Sequence, residues 1–174
     1  MMRSTILAAV LSISAATSFA QEIEEPMSLP RLGEIIKTLD PDADFAGASF
    51  RMVIDDIPVL IVTDPRADRM RAMVPIRDAS DMTPEEILRV LQANFDSALD
   101  ARYAVAQGRL WSVYIHPLSP LKKDQFISAL GQTINAAKTY GTLFTGGAMQ
   151  FGGGDSQPLQ RQLIDRLLEK GQEI

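Results

Sequence analysis

Three short runs of apolar residues, separated by turn-forming residues, constrain the fold of this chain more than any other feature. The runs are residues 50–54, 58–63 and 70–76. Apolar side chains alternate with other side chains along the first and third runs, which is typical of strands with one buried face. Only a few residues, several of them Asp and Pro, separate each run from the next. Strands joined by such short turns pair in antiparallel fashion, so the sequence predicts a three-stranded antiparallel sheet.

Two details indicate where these strands lie in the sheet. Residues 59–62 are apolar on both faces, which favours an interior strand. Pro75 cannot donate a hydrogen bond to a neighbouring strand, so we expect a bulge or a sheet edge at the end of the third strand.

Helical patterns flank these strands on both sides. Residues 32–39 carry apolar side chains at helical intervals behind Ser28, a residue type that begins helices. Residues 83–86 read Thr-Pro-Glu-Glu and form a capping box that begins a second helix. The apolar residues of this second helix share one side, and they are Ile87, Leu88, Leu91 and Phe95.

The sequence of the rest of the domain predicts a hairpin and a third helix. Residues 102–106 and 109–116 have the patterns of two strands. Two residues separate them, which is the spacing of a tight hairpin. Ser119 and Pro120 then begin a helix that ends at Gly141.

Together these elements predict an α+β domain over residues 28–144. We expect an antiparallel five-stranded sheet with helices packed on one face, in the order α-βββ-α-ββ-α. Residues 21–27 are acidic and are expected to form a flexible leader. Residues 145–157 are rich in glycine and predict a linker. An amphipathic C-terminal helix follows at residues 158–170, and it either docks on its own domain or reaches another subunit or protein.

The first 20 residues have the three parts of a cleavable signal peptide. Arg3 supplies the positive charge, a short apolar stretch follows, and Ser18 and Ala20 are the small residues that precede the cleavage site. The apolar stretch is shorter than the roughly 20 residues that span a bilayer. We therefore expect cleavage at Ala20 and a periplasmic or secreted protein with no integral membrane segment.

Charge and composition argue against several classes of function. The formal net charge is −5, which disfavours nucleic acid and anionic membranes as partners. The chain contains no cysteine, so it has no disulfide, no thiol catalysis and no cysteine-based metal site. We predict no cofactor.

Few residues could carry out chemistry. His116 is the single histidine of the chain, and it is typical of a histidine at a strand end, because a general base needs partners within hydrogen-bonding distance. Asp40, Asp42 and Asp44 alternate as in calcium loops, but the glycine and the bidentate glutamate of such loops are missing. These aspartates therefore predict a helix-exit turn. We predict no catalytic residue, no metal site and no enzymatic activity.

The second face of the predicted sheet is the strongest candidate for a functional surface. We expect the helices to cover one alternating set of residues, which includes Trp111, Val113 and Ile115. The opposite set comprises Arg51, Val53, Arg71, Met73, Ser112 and Tyr114. Apolar residues mixed with Arg and Tyr are typical of interaction surfaces, whereas a solvated face is mostly polar. An equal alternative is that the C-terminal helix or a second copy of the chain covers this face.

The order of the elements resembles that of type III secretion chaperones of the Tir-chaperone kind, and especially that of the sensory-transduction regulators known as the YbjN family. The resemblance covers residues 28 to 144 and rests on the element order and on the segments 50–54, 83–86 and 114–119. It implies an α+β domain that is often dimeric, has no enzymatic activity and binds extended segments of other proteins. Those secretion chaperones are cytoplasmic, so the signal peptide argues against carrying over their effector-chaperone role.

Two functional hypotheses follow from these observations. The first is a non-enzymatic exported protein-binding or chaperone-like module of the YbjN type, a homodimer that binds a protein or peptide segment through its sheet face. The alternative is a small-ligand-binding or hydrolytic periplasmic protein that uses a cleft formed by Asp55, Asp56 or His116. A purely structural role in the cell envelope fits the same residues as the first hypothesis.

Overall fold

The computed structural model of the chain describes residues 24–96, 98–141 and 158–172. The predicted signal peptide, the predicted linker and the first residues of the predicted leader lie outside these ranges. The described residues form four helices and six strands. In chain order they are α1 Leu29–Leu39, β1 Asp44–Ala46, β2 Ser49–Ile54, β3 Ile57–Asp64, β4 Arg69–Asp78, α2 Pro84–Asp96, β5 Arg102–Ala106, β6 Arg109–Pro117, α3 Lys123–Lys138 and α4 Pro158–Gly171.

The six strands form one antiparallel sheet in the order β1-β2-β3-β4-β6-β5. The predicted α+β class and the antiparallel pairing are confirmed, but the predicted number of five strands is wrong. The sequence pattern misses β1 because a strand of three exposed residues has no buried alternation to indicate it. The interior position predicted for β3 is confirmed, since it pairs with both β2 and β4.

The main core lies between one face of the sheet and a layer formed by α1, α3 and α4. Phe50 and Met70 of the sheet pack there with Ile36 of α1 and Phe126 of α3. α2 packs against β5 at one end of the sheet, over a smaller cluster. That cluster comprises Met82, Val90, Ala93, Tyr103, Leu110 and Ala136. None of the helices in the described ranges is both long and apolar enough to cross a membrane.

The predicted tight hairpin between β5 and β6 is present, and a second one joins β2 to β3. Asp55 and Asp56 between β2 and β3 have φ values of 49° and 63°, and Gln107 and Gly108 between β5 and β6 have φ values of 52° and 70°. A left-handed backbone at both central residues of a two-residue turn is the type I′ geometry, which matches the twist of paired strands. Asp and Gly adopt this conformation more readily than most residues.

β4 is an interior strand that continues through Pro75 to Asp78. Its pairing with β6 shifts by one residue between Pro75 and Arg77. Such a β-bulge accommodates a proline, which has no N–H to donate to the neighbouring strand. Of the two alternatives for Pro75, the bulge is confirmed and the sheet edge is wrong.

The helix starts agree with the sequence pattern at Ser28 and Thr83 and differ from it at Ser119. Thr83 Oγ1 accepts a hydrogen bond from the Glu86 N–H at 3.2 Å, and the Thr83 N–H donates to the Glu86 carboxylate at 2.8 Å. The predicted start of the next helix at Ser119 is wrong, since α3 begins at Lys123. The Asp68 carboxylate instead accepts hydrogen bonds from the backbone N–H and the hydroxyl of Ser119, at 2.7 and 2.9 Å.

The described part of the predicted leader, residues 24–27, is held against the domain. Glu24 Oε1 accepts hydrogen bonds from the Arg31 guanidinium and from the Lys123 backbone N–H, both at 2.7 Å. Met27 is buried, and its N–H donates to a carbonyl in the connection between β6 and α3 at 3.0 Å. These residues therefore belong to the packed domain.

α4 docks on the helices of its own domain, which is one of the alternatives that the sequence leaves open. Leu163 and Leu167 are buried in the main core, where α4 contacts α3 and α1. The contact with α3 is close because Gly131 has no side chain. A Cβ at Gly131 would lie 2.5 Å from Ile164 Cγ1. α4 therefore lies on the helix side of the sheet and does not cover the opposite face.

Polar contacts join α4 to the turn between β2 and β3 and to the end of α1, and α3 contacts the same turn. Asp55 in that turn lies 3.0 Å from Lys138 Nζ and 2.7 Å from a guanidinium nitrogen of Arg166. Lys170 Nζ donates to the Leu39 carbonyl at the end of α1, at 2.8 Å. The hydrogen bond from Lys138, together with those from Arg166, holds the pKa of Asp55 below its ordinary value.

We expect Asp55→Asn to weaken the docking of α4 in a pH-dependent way. Because the folded pKa of Asp55 is lower than the unfolded one, its carboxylate stabilises the fold at neutral pH. That contribution is lost as the pH falls through the folded pKa, below about pH 4. The melting temperature of the variant should therefore lie a few degrees below that of the wild type at neutral pH, and the two should converge in acid. A constant difference across this range would contradict the assignment. Asp56→Asn is the control, since Asp56 forms no ion pair with a described residue.

Candidate functional site

The outer face of the sheet is the face that points away from α1, α3 and α4, and none of the described helices packs on it. Strand pairing arranges its side chains in rows. The first row runs Asp44, Arg51, Leu60, Met73, Val113 and Arg102. The second row runs Ala46, Ser49, Val62, Arg71 and Ile115. A third group, nearer the turn between β2 and β3, comprises Val53, Pro58, Pro75, Trp111 and Ala104.

Four of the six residues that the sequence assigns to the second face of the sheet lie on the outer face. Arg51, Val53 and Arg71 are exposed, and Met73 is half-buried. Ile115 is exposed beside them, so apolar and cationic side chains share one accessible surface. The placement of these four residues is an observation, and their role in binding stays a prediction.

Tyr114 does not lie on the outer face, and its assignment to that face is wrong. It pairs with Ala72 of β4 and is buried in the main core, where burial raises the pKa of its phenol above the ordinary value. Ser112 is buried on the same side of β6. The residues of β6 that point to the outer face are instead Trp111, Val113 and Ile115.

The error arises from β6, because both of its alternating sets contain large apolar side chains. Leu110 and Tyr114 belong to one set, and Trp111 and Ile115 belong to the other. A period of two does not tell which set is buried. The pairing with β4 decides the question, and a shift of one residue would exchange the two faces.

α2 carries a second exposed apolar surface, the α2 stripe. It comprises Ile87, Leu88, Leu91 and Phe95. Leu88, Leu91 and Phe95 are 57%, 58% and 75% exposed. The common side predicted for these residues points to solvent, because Val90 and Ala93 make the contacts with the domain. Four large apolar side chains on one exposed side of a helix are typical of an interface.

An apolar groove of about 510 Å³ lies between α1 and β1. Gly33 and Ile36 line it on the helix side, and Phe45 and Phe50 line it on the strand side. The rings of these two phenylalanines lie 4.8 Å apart, and Phe45 is exposed. β1 is the edge of the sheet, so one side of its backbone pairs with no described strand. A groove beside a free edge suits an extended apolar segment.

Asp40, Asp42 and Asp44 lie at the β1 end of the outer face. Asp40 caps the end of α1, and its carboxylate accepts hydrogen bonds from the N–H groups of Asp42 at 3.0 Å and Val53 at 2.8 Å. The predicted helix-exit turn is therefore present. With Trp111 and other residues, the three aspartates line a concave region of about 560 Å³. Within the described ranges, no group of three acidic or histidine side chains is arranged to hold a metal ion.

His116 does not share a cleft with Asp55 and Asp56. It lies near the turn between β3 and β4, whereas the two aspartates form the turn at the opposite end of β3, about 20 Å away at 3.4 Å per residue. Its Nδ1 lies 2.7 Å from the Pro117 carbonyl, and its Nε2 lies 3.1 Å from the Gln125 amide nitrogen. A single cleft that contains both His116 and the two aspartates is therefore not formed.

Comparison with known proteins shows similarity at the level of fold. No protein-family model matches the chain. No curated protein matches its sequence either. The structure of the ExsC–ExsE complex matches with a TM-score of 0.53 and 10% identity, over 67% of this chain and 95% of that chain.

Two further solved structures match with lower scores. The HopA1–SchA chaperone–effector complex has a TM-score of 0.48 and 10% identity, over 63% of this chain and 91% of that chain. The Yersinia pestis type III secretion chaperone SycH, in complex with a stable fragment of YscM2, has a TM-score of 0.47 and 13% identity, over 61% of this chain and 96% of that chain.

The match to the ExsC–ExsE structure, with a TM-score above 0.5, supports a chaperone-like α+β fold for this domain. The domain shares its overall fold with ExsC at an identity that carries no residue-level correspondence. The resemblance to type III secretion chaperones is thus supported for the fold. Membership of the YbjN family and export of the protein stay predictions.

The two sides of β6 can be distinguished by substituting neighbouring residues. Tyr114→Ala should lower the free energy of unfolding by about 3–5 kcal/mol, because it removes a large buried side chain from the core. Ile115→Ala should change it by less than about 1 kcal/mol, because Ile115 is exposed. Urea unfolding followed by circular dichroism measures both values. Equal losses, or the reverse order, would contradict the observed pairing of β6 with β4.

Proposed function

We propose that this protein is a non-enzymatic, exported binding module of the YbjN type that holds a segment of another protein on its outer face. The observation that carries the proposal is the composition of that face. Apolar side chains such as Val53 and Ile115 lie exposed beside Arg51 and Arg71, with no described helix above them. The centre of a protein contact surface is more apolar than the rest of the surface and is enriched in aromatic residues, Met and Arg, whereas a solvated sheet face is mostly polar.

The groove between α1 and β1 enlarges this binding surface. It lies on the helix side of the same sheet edge that bounds the outer face. An extended segment placed beside β1 would alternate its side chains between the two sides of the sheet. Its inward side chains would meet Phe45 and Phe50, and its outward side chains would meet the outer face.

The similar fold of ExsC supports a protein as the partner, because ExsC is found in a complex with ExsE. The signal-peptide pattern of residues 1–20 supports a periplasmic or secreted location, so the partner would be met outside the cytoplasm. A cytoplasmic effector-chaperone role is not part of the proposal.

The proposal includes a homodimer that forms through the α2 stripe. Leu88, Leu91 and Phe95 are spaced by three and four residues, which is the spacing of a coiled-coil seam. Two copies of such a seam pack against each other around a twofold axis, because each copy presents the same apolar surface. The dimer would leave the outer face open, since α2 packs on the helix side of the sheet.

The dimer can be tested with the paired substitutions Leu88→Glu and Leu91→Glu. We expect the wild-type domain to migrate as two copies and the double variant as one, because buried carboxylates oppose association of the two stripes. Light scattering during gel filtration measures the mass. Ile115→Glu is the matched control, because Ile115 and Leu91 are both 58% exposed, and it should remain dimeric. A wild type that is monomeric at micromolar concentration would contradict the proposal.

Binding through the outer face can be tested with reduced, carboxymethylated α-lactalbumin, a protein that cannot fold, as the probe. Fluorescence anisotropy should detect binding to the wild type. The double variant Val53→Asp and Ile115→Asp should bind at least about tenfold more weakly, because truncating or charging a buried contact costs more than about 1.4 kcal/mol.

A matched control separates a contact effect from a general charge effect. Val105→Asp changes a valine of β5 that is 52% exposed, similar to the 55% of Val53, but on the helix side of the sheet. It should bind the probe as the wild type does. Equal binding by the double variant and the control would contradict a role for the outer face.

A further inference from the structure

We propose that the outer face selects apolar segments that carry a carboxylate, and that Arg71 is the residue that binds this carboxylate. The inference rests on the proposed function, because it names the chemistry of the segment that the outer face would hold. It follows from a comparison of Arg71 with the other arginines of the same face.

Three arginines of the outer face have an acidic residue directly across the neighbouring strand. The pairs are Arg51 with Asp44, Arg69 with Asp64, and Arg109 with Asp78. Oppositely charged residues at such positions compensate each other within the sheet. Each of these arginines thus has a negative charge next to it in the sheet, which lowers the positive potential that it presents to a partner.

Arg102, the fourth arginine, is engaged by backbone groups of its own segment. Its guanidinium donates hydrogen bonds to the carbonyl of Leu99 and, at 3.0 Å, to the carbonyl of Ala101. Part of its hydrogen-bonding capacity is thus already used within the domain.

Arg71 differs from all four. Its neighbours across the strands are Val62 on β3 and Ile115 on β6, both apolar and both exposed. No described residue forms an ion pair or a hydrogen bond with its side chain. Arg71 thus presents a free guanidinium from between two apolar side chains, in the second row of the outer face.

The surroundings of Arg71 favour a carboxylate from a partner. A guanidinium forms two parallel hydrogen bonds with a carboxylate, and these charge-assisted bonds are stronger than neutral ones. When an apolar segment covers Val62 and Ile115, it also removes water from around Arg71, which strengthens the attraction. The same event would leave Arg71 buried without a partner if the segment had no acidic group, and that is costly.

The overall charge of the chain makes this preference distinctive. The net charge of −5 attracts basic segments and repels acidic ones at long range. A preference for acidic segments must therefore come from local contact at the outer face. It should persist at high ionic strength better than a long-range preference would, since salt screens distant charges most.

The test uses a display library of random 12-residue peptides, selected on the immobilised protein. Peptides enriched by the wild type should be rich in apolar residues and contain more Asp and Glu than the unselected library. Arg71→Gln should retain the apolar enrichment and lose the acidic one. Arg71→Glu should shift the enriched residues to Lys and Arg. Arg161→Gln, an exposed arginine of α4 on the opposite side of the sheet, is the matched control and should behave as the wild type.

One selected peptide then gives a quantitative measure. Replacing its acidic residue by Gln should weaken binding to the wild type about tenfold, the effect of one charge-assisted contact of about 1.4 kcal/mol. The same replacement should leave binding to Arg71→Gln nearly unchanged, which is the signature of a direct pair in a double-mutant cycle. Arg71 is exposed, so the variant should unfold within about 0.5 kcal/mol of the wild type.

The outcomes separate this inference from the proposed function. One outcome is that the wild type and Arg71→Gln select apolar peptides with the same content of Asp and Glu. That result would overturn the role of Arg71 and leave the binding role of the outer face intact. Enrichment that survives the double variant Val53→Asp and Ile115→Asp, or no enrichment at all, would overturn the proposed function and the inference with it.

Discussion

The pairing of β4 with β6 is the interaction on which the rest of this structure depends. It joins the meander of the first four strands to the hairpin of the last two, and it includes the bulge at Pro75. This register places Tyr114 beside Ala72 in the core and Ile115 beside Arg71 on the outer face. Because side chains alternate along a strand, a slip of one residue would reverse both placements. The core and the candidate binding surface are therefore determined by the same set of backbone hydrogen bonds.

The docking of α4 determines which surfaces of this domain are available. Ile164 fits against Gly131, where a larger side chain would prevent close approach, and Asp55 attracts Arg166 toward the β2–β3 turn. Shape and charge thus direct the leucines of α4 to the helix layer rather than to the outer face. Within the described part of the chain, the apolar residues of the outer face stay accessible because α4 docks on the helix layer instead.

The two exposed surfaces differ in composition, and the difference suits different kinds of contact. The α2 stripe is wholly apolar, which suits a permanent assembly, because the interfaces of such assemblies are more hydrophobic than those of transient ones. The outer face mixes apolar side chains with arginines, and three of those arginines have an acidic residue at the paired position of the neighbouring strand. On a surface of that kind the charged residues favour hydration when it is empty, and the apolar residues suit contact with an apolar segment. Arg71 has no such acidic neighbour, because its cross-strand neighbours are Val62 and Ile115.

The sequence by itself determined the order of the main elements, the positions of the short turns between paired strands, the capping box at Thr83 and the four outer-face residues of β2 and β4. These features depend on residues that are close together along the chain, or on strands with one clearly apolar set. Only the tertiary structure decided which side chains of β6 point to the core, whether the α2 stripe is exposed, whether β1 forms and where α4 docks. The physical reason is that each of these depends on a neighbour distant in sequence. Both sets of side chains in β6 could have been buried, and only the partner strand β4, more than 30 residues earlier, selects one of them.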